Sequence, residues 1–275
     1  MKIKFPATDP GIPSFVTLDD FLDRTFARCI SDELESDAVR DIMEPFLIDK
    51  PRANFSNNLP FIPDGKGIPD TDRSYDKKNA SQTFNRILEL CPNLYKLWLK
   101  MRGEELFNRC ILDNIDILEH KGIVSTHLSF NPESQLSVKK KQCVNEGTQL
   151  MIAPDFHLSV AKRGYDVNVH SDNRYKILFG VLYFNDVRAE EGGQTCFWAS
   201  RGSGDIGDYP RYPDPGDIRL LDAIEPKEGR FVLGLNSNDA YHSVREYTGS
   251  GRRQFVYFSF FVPDCENVWK VNCEL

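Results

Sequence analysis

The sequence predicts an α+β protein with a mainly β core: a helical first half, then an antiparallel sandwich or barrel. Three observations predict it. Residues 17 to 48 and 82 to 117 carry apolar side chains at helical spacing; the chain after about residue 147 breaks into short, closely spaced β-type runs; and no linker, repeat or low-complexity tract divides the 275 residues. One domain over residues 1–275 is expected, with 1–145 a mostly helical elaboration and 146–265 the β core.

The first helical stretch, "TLDDFLDRTFARCISDELESDAVRDIMEPF", offers Thr17 or Asp19 as an N-cap and Pro45 as a stop. "KPRANFSNNLPFIPDGKGIPDTDRSYDKKNAS" follows, dense in Pro, Gly, Asn and Asp, and reads as a long loop that could cover a site. Helical periodicity returns in "QTFNRILELCPNLYKLWLKMRGEELFNRCILDNIDI", with breaks near Pro92 and Gly103. The strand-like runs are "QLMIAPDFHLSVAKR", "YDVNVH", "YKILFGVLYFN", "GGQTCFWAS", "GRFVLGLN", "AYHSVREY" and "RRQFVYFSFFV". With no helices between them, a parallel wound sheet is disfavoured. "RGSGDIGDYPRYPDPGDIRLLD" interrupts the series and reads as a surface excursion.

The net charge of −7 argues against a nucleic-acid binder, and the basic run Lys139, Lys140, Lys141 reads as a solvated loop. No window is apolar for the ~20 residues of a membrane span, and the start "MKIKFPATDPGIPSF" lacks a secretion signal. Seven scattered cysteines without a Cys-x-x-Cys pair read as reduced thiols, so a cytoplasmic location is expected.

The chemistry concentrates in "NVHSDNRYKILFGVLYFND". His170 and Asp172, two apart on an extended chain, share a face, which is how a strand offers two ligands to one metal. A third could be His120, His127, His157 or His242; His242 is the best placed, in a strand-like run after the turn-like "NSND". Two imidazoles and one carboxylate on one face of an octahedral ion suit Fe(II) and leave positions open for O2 and a co-substrate.

The order "VHSDN…YKILFGVLYFND…EEGGQTCFW…EPKEGRFVLGLNSNDAYHSVREYTGSGRRQFVYFSFF" resembles the 2-oxoglutarate and Fe(II)-dependent dioxygenases, in particular the prolyl-4-hydroxylase-like branch, over roughly residues 145 to 262. The resemblance implies a double-stranded β-helix (jelly roll, cupin-like) with supporting N-terminal helices. It implies Fe(II) held by His170, Asp172 and His242, with 2-oxoglutarate and O2 as co-substrates and ascorbate as an optional accessory. It also implies a basic residue about ten positions after the distal histidine to hold the far carboxylate of 2-oxoglutarate. Arg252 fits that spacing and adjacent Arg253 is the alternative, since only one of two neighbours on a strand faces inward.

Tyr183 or Asn185 could reach the co-substrate, and Trp198 and Arg201 could touch the substrate. The expected activity is oxidation, chiefly hydroxylation, of an unactivated C–H bond in a small molecule such as an amino acid or natural-product intermediate. Alternatives are a protein residue as substrate, cyclisation or desaturation, and a silent jelly-roll binding module. Asp172 disfavours halogenation, in which Gly or Ala replaces the carboxylate. The segments around 51–70 and 201–216, with Arg52 and Arg201, read as specificity loops.

Overall fold

The computed structural model describes residues 2–9, 11–56, 77–134, 147–201 and 210–270. Among them the chain forms strands β1 (Phe15–Leu18) and β2 (Arg52–Phe55), helices α1 (Arg24–Glu35), α2 (Asp37–Met43), α3 (Lys77–Leu90), α4 (Pro92–Met101), α5 (Glu104–Cys110) and α6 (Ile115–His120), and strands β3 (Leu128–Phe130), β4 (Leu150–Ala161), β5 (Tyr165–His170), β6 (Lys176–Tyr183), β7 (Thr195–Ser200), β8 (Ile218–Ile224), β9 (Phe231–Leu235), β10 (Tyr241–Tyr247) and β11 (Arg253–Phe261). The larger sheet runs β1-β9-β6-β11-β4-β2, with β3 added in parallel to β4, and the smaller runs β5-β10-β7-β8. The chain from β4 to β11 passes back and forth between the two sheets, and all their core pairings are antiparallel. That winding is the double-stranded β-helix.

Alternation along the strands divides the larger sheet into two chemistries. Phe156, Leu158 and Val160 of β4, Leu178 and Leu182 of β6, and Val256, Phe258 and Phe260 of β11 join one apolar cluster with Ala27, Ile30 and Leu34 of α1, Phe84 and Ile87 of α3, and Leu94 and Leu97 of α4. The helices therefore cover one face of the sheet and close it to water. The opposite face looks into the lumen between the sheets, where Phe179, Val181, Tyr183, Phe197, Val232 and Phe255 form a second cluster. Gly234 makes room there: a Cβ at that position would lie 2.7 Å from the Phe179 ring.

Four expectations are corrected. Residues 15–18 pair with β9, so Thr17 and Leu18 belong to a strand rather than to the start of the helix, because Phe15, Val16 and Thr17 have strand propensity and an open sheet edge beside them. The helix begins later, capped by Asp23, whose carboxylate accepts the Phe26 N–H at 3.1 Å, so neither Thr17 nor Asp19 is its cap. Residues 52–55 are not loop but edge strand β2 on β4. The supposed surface excursion contains β8, which pairs with β7. The breaks at Pro92 and Gly103 stand as expected, Pro92 opening α4 and Gly103 preceding α5. The basic run 139–141, the centre of the proline-rich loop at 57–76 and residues 202–209 lie outside the described residues. Among the described residues Cys29, Cys91, Cys110 and Cys196 are free thiols, and no helix is long and apolar enough to cross a membrane.

The turn Gly192–Gly193 locks β7 against β10. Both residues have positive φ, +77° and +74°, and a Cβ on Gly192 would meet the Glu246 carbonyl oxygen at 1.8 Å. Gly192→Ala is expected to lower unfolding free energy by about 2 kcal/mol or more, the range for a strained backbone position. Urea denaturation of the variant beside wild type measures it; an unchanged midpoint would contradict this role for the turn.

Candidate metal centre and the lumen of the barrel

His170 ends β5 and His242 lies near the start of β10, where the two are direct cross-strand partners. The register shifts by one residue between that pair and the next, Val244 opposite Val167. This bulge lets both Val167 and His170 face the lumen although they are three apart. Asp172 follows in the turn after β5. One ligand atom from each of His170, Asp172 and His242 lies within 4.8 Å of the others. The carboxylate is 3.7 Å from His170 Nε2 through Oδ1 and 4.0 Å from His242 Nε2 through Oδ2.

The backbone fixes both rings. His170 Nδ1 donates to the Asn168 carbonyl at 2.9 Å, and His242 Nδ1 to the Ala240 carbonyl at 3.1 Å. Both Nε2 atoms are thereby left as lone pairs pointing at the shared space, the tautomer a metal requires. Phe179 stacks on the His242 ring at 3.9 Å and Tyr212 lies over the His170 ring at 6.3 Å, one from the lumen wall and one from a loop. Burial, with His170 beside it, pushes His242 down from 6.5 to about 3, so it stays neutral at ordinary pH.

Lys176, at the start of β6, and Tyr257, on β11, both reach Asp172. The ammonium is 3.3 Å from Oδ2 and 2.8 Å from the Tyr257 hydroxyl, which itself donates to Oδ2. Burial, the largest single influence, would raise the Asp172 carboxyl, but the Lys176 charge together with His170 and His242 more than offsets it and holds the group well below the usual carboxylate range. Burial and the Asp172 charge together push the Tyr257 hydroxyl well up, keeping it a donor. With Oδ2 occupied by two donors, Oδ1 is the oxygen free to bind a metal.

The two arginines are reversed from the expectation. Arg252 points out of the barrel and its guanidinium meets Glu44. Arg253 points in, its side chain wholly buried, although spacing had favoured Arg252. The reason is register: Arg253 pairs with Ala161 and shares the inward face with Phe255 and Tyr257, and one residue of slip exchanges the faces. Arg253 Nη2 donates to the Tyr183 hydroxyl at 3.3 Å, while Nε and Nη1 have no partner among the described residues. No carboxylate among those residues pairs with it; the rings of Phe255, Tyr183 and Tyr165 surround it at 4.1, 5.1 and 5.5 Å. Gly193 gives it space, a Cβ there falling 3.2 Å from Arg253 Cδ. A buried guanidinium without an anion is costly, so the arrangement is shaped for an anion that arrives from outside.

Tyr183 is buried in the lumen, with its hydroxyl also 2.7 Å from Thr195 Oγ1. Asn185 instead ties strands together, donating to the Arg252 carbonyl at 2.7 Å and accepting the Gln254 N–H at 2.9 Å. Trp198 is corrected: Phe197 pairs with His242 and faces in, so Trp198 faces out, its indole N–H donating to Ser243 Oγ at 2.8 Å. Arg201 is exposed beyond the end of β7. Arg52 lies on β2 with Nη1 3.0 Å from the Tyr165 hydroxyl. His120 sits at the end of α6, His127 beside β3, and His157 in the lumen wall against Asp155.

Sequence reasoning missed Lys176, Tyr257 and Phe179. The only signal for them was the inward phase of "YKILFGVLYF" and "FVYFSFF", which needs the register to be known. A cleft of about 360 Å³ opens beside Asp172, lined by Ser171, Asn173, Arg174, Tyr175, Arg211 and Glu266. A larger one, about 720 Å³, lies outside the barrel between α2 and α3, away from these groups.

Because unfolded His242 takes up a proton near 6.5 and folded His242 only near 3, stability of the metal-free protein is expected to fall as pH drops from about 6.5 toward 3. Urea midpoints across that window should show the slope, and His242→Gln should flatten it. A midpoint independent of pH between 6.5 and 4 would contradict a buried neutral imidazole.

No family model matches the sequence, and no curated protein matches it. Solved structures do resemble the fold. A viral collagen prolyl hydroxylase from Paramecium Bursaria Chlorella virus-1, in complex with 2-oxoglutarate, matches at 11% identity over 90% of this chain and 95% of its own, with a TM-score of 0.39. A prolyl-4-hydroxylase from Pseudomonas putida matches at 13% identity over 90% and 92%, with a TM-score of 0.41. HygX from Streptomyces hygroscopicus, with nickel and 2-oxoglutarate bound, matches at 11% identity over 95% and 86%, with a TM-score of 0.40. What the chain can do rests on its own site.

Proposed function

We propose that the protein is a non-haem Fe(II) and 2-oxoglutarate-dependent oxygenase that hydroxylates an unactivated C–H bond of a small molecule. The observation that carries this reading is a pairing within one lumen: a His, Asp, His set poised for a metal, and a buried, anion-less guanidinium farther along the same cavity. Arg253 is linked through Tyr183 to Thr195, and Thr195 is two residues from Phe197 and opposite Val244, itself two residues from His242. Two residues of strand span ~7 Å, a length suited to a five-carbon diacid that chelates the metal at one end and meets Arg253 at the other.

Both groups fit the residues present. His170 Nε2, His242 Nε2 and Asp172 Oδ1 are the metal's donors, and two nitrogens with one carboxylate oxygen suit Fe(II). Arg253 Nε and Nη1 are orphaned donors for a carboxylate, and Tyr183 adds a hydroxyl beside them. Bound there, iron and 2-oxoglutarate supply O2 activation, with decarboxylation to succinate driving the oxidation of a C–H bond.

The chain's own residues do the rest. Lys176 and Tyr257 keep Asp172 ionised and occupied at one oxygen, so the carboxylate takes one coordination position and leaves the others open. Phe179, Val181, Phe197 and Phe255 make the lumen apolar, which excludes water from the reacting centre. The cleft beside Asp172 is within the size range of small-molecule sites, which supports a small substrate such as an amino acid or natural-product intermediate.

Anaerobic protein given Fe(II) and 2-oxoglutarate is expected to develop a weak visible charge-transfer band. His170→Ala, Asp172→Ala and His242→Ala should each abolish it while far-UV circular dichroism stays native. Slow succinate formation on admitting air, absent in Asp172→Ala, completes the test. A folded wild-type protein that shows neither band nor succinate would leave a silent jelly-roll binding module as the reading.

A further inference from the structure

Six residues along β11 from Arg253, the lumen wall changes from apolar to polar. Asp155 and Ser259 are cross-strand partners on β4 and β11, and His157 and Tyr257 are the next inward pair. His157 Nε2 donates to Asp155 Oδ2 at 2.6 Å. Three further polar atoms of this wall are buried without a hydrogen-bond partner among the described residues: Asp155 Oδ1, His157 Nδ1 and Ser259 Oγ. Asp155 is 8% exposed and Ser259 0%. Buried polar atoms without a partner are rare in native structures and mark a place for a further group, whether ligand, ion or ordered water.

Two connections place this wall beside the metal ligands. Tyr257, opposite His157, donates its hydroxyl to Asp172. Ser259, opposite Asp155, is on its other side opposite Phe179, whose ring stacks on His242 at 3.9 Å. A molecule held by Asp155 and Ser259 therefore presents its next few atoms to the His170, Asp172, His242 set.

The chemistry of the three atoms selects the ligand. Asp155 Oδ1 accepts only; His157 Nδ1, with the ring proton on Nε2, accepts as well; the Ser259 hydroxyl can do either. The ligand must bring O–H or N–H donors, and a carboxylate would face Asp155 with nothing to give. Charge then separates alcohol from amine. Asp155 and Asp172 are matched in the lumen by Lys176 and Arg253, and a divalent metal with a dianionic co-substrate adds equal amounts of each sign. An ammonium would introduce an unmatched buried charge, whereas hydroxyl groups leave the balance intact.

We propose that Asp155, His157 and Ser259 form a substrate-anchoring subsite that takes the hydroxyl-bearing edge of a neutral diol or polyol. Naming that ligand the substrate rests on the oxygenase reading above; the subsite itself does not. The test uses three probes of one ring size: trans-cyclohexane-1,2-diol, cyclohexylammonium and cyclohexanecarboxylate. Saturation-transfer NMR on metal-free protein measures binding, and line broadening in Co(II)-loaded against Zn(II)-loaded protein with 2-oxoglutarate measures proximity to the metal.

The diol is expected to bind best and to be broadened by Co(II). Asp155→Ala should weaken it about tenfold or more and Ser259→Ala about threefold, as for charged and neutral hydrogen bonds, with Co(II) affinity unchanged. Preference for the ammonium or the carboxylate, binding of none of the three, or diol binding indifferent to both variants would overturn the proposal. Ser259→Ala removes one buried hydroxyl and keeps the test open if Asp155→Ala does not fold. Failure of wild-type protein to bind Co(II) would count against the oxygenase reading alone, because the metal-free measurement still decides the subsite.

Discussion

The antiparallel register that sets His242 opposite His170 is the constraint on which the site depends. These residues are far apart in sequence, and nothing local brings them together. Sheet pairing does, and the one-residue bulge in β5 turns His170 inward where simple alternation from Val167 would have sent it out. Register is held elsewhere by packing: the outward face of the larger sheet is committed to the helices, so its strands cannot slip without exposing Leu158, Phe258 and their neighbours. The helical half thus serves the site indirectly, by making the inward phase of β4, β6 and β11 the only affordable one.

What the inward phase delivers is expensive. The lumen buries Lys176 against Asp172, Asp155 against His157, and Arg253 against aromatic rings and one tyrosine hydroxyl. Apolar replacements would stabilise a barrel at least as well, since paired charges rarely repay their desolvation and an unpaired one does not. Departures from the stable solution concentrate at functional sites. Here they fall on the inward faces of the two sheets, in the order Arg253, then His170, Asp172 and His242, then Asp155, His157 and Ser259.

Much of this could be read in the sequence. The helical and strand-rich halves and the breaks at Pro92 and Gly103 follow from periodicity and breakers, whereas His170, Asp172 and His242, which the fold groups together, are a set that the family resemblance implies. What failed did so for a shared reason: it depended on phase or partner rather than on local composition. Arg252 and Arg253 are chemically identical, and a one-residue difference in where β11 begins its alternation decides which is buried. Trp198 is turned away from the lumen in the same way, one position from Phe197. Strands β1, β2 and β8 are short edge or rim strands whose existence is fixed by neighbours to pair with. Lys176 and Tyr257 carry no motif at all; only the folded lumen brings them to Asp172.

The central claim, one lumen that grips a metal at one end of 2-oxoglutarate and its far carboxylate at the other, is tested most directly by calorimetry of 2-oxoglutarate binding to Co(II)-loaded protein. Arg253→Met should weaken binding about 100-fold, as removal of one member of a buried charge-assisted pair does. Arg252→Met, outside the barrel and paired with Glu44, should change it by less than about twofold. Equal losses in both variants, or a loss confined to Arg252→Met, would contradict the account.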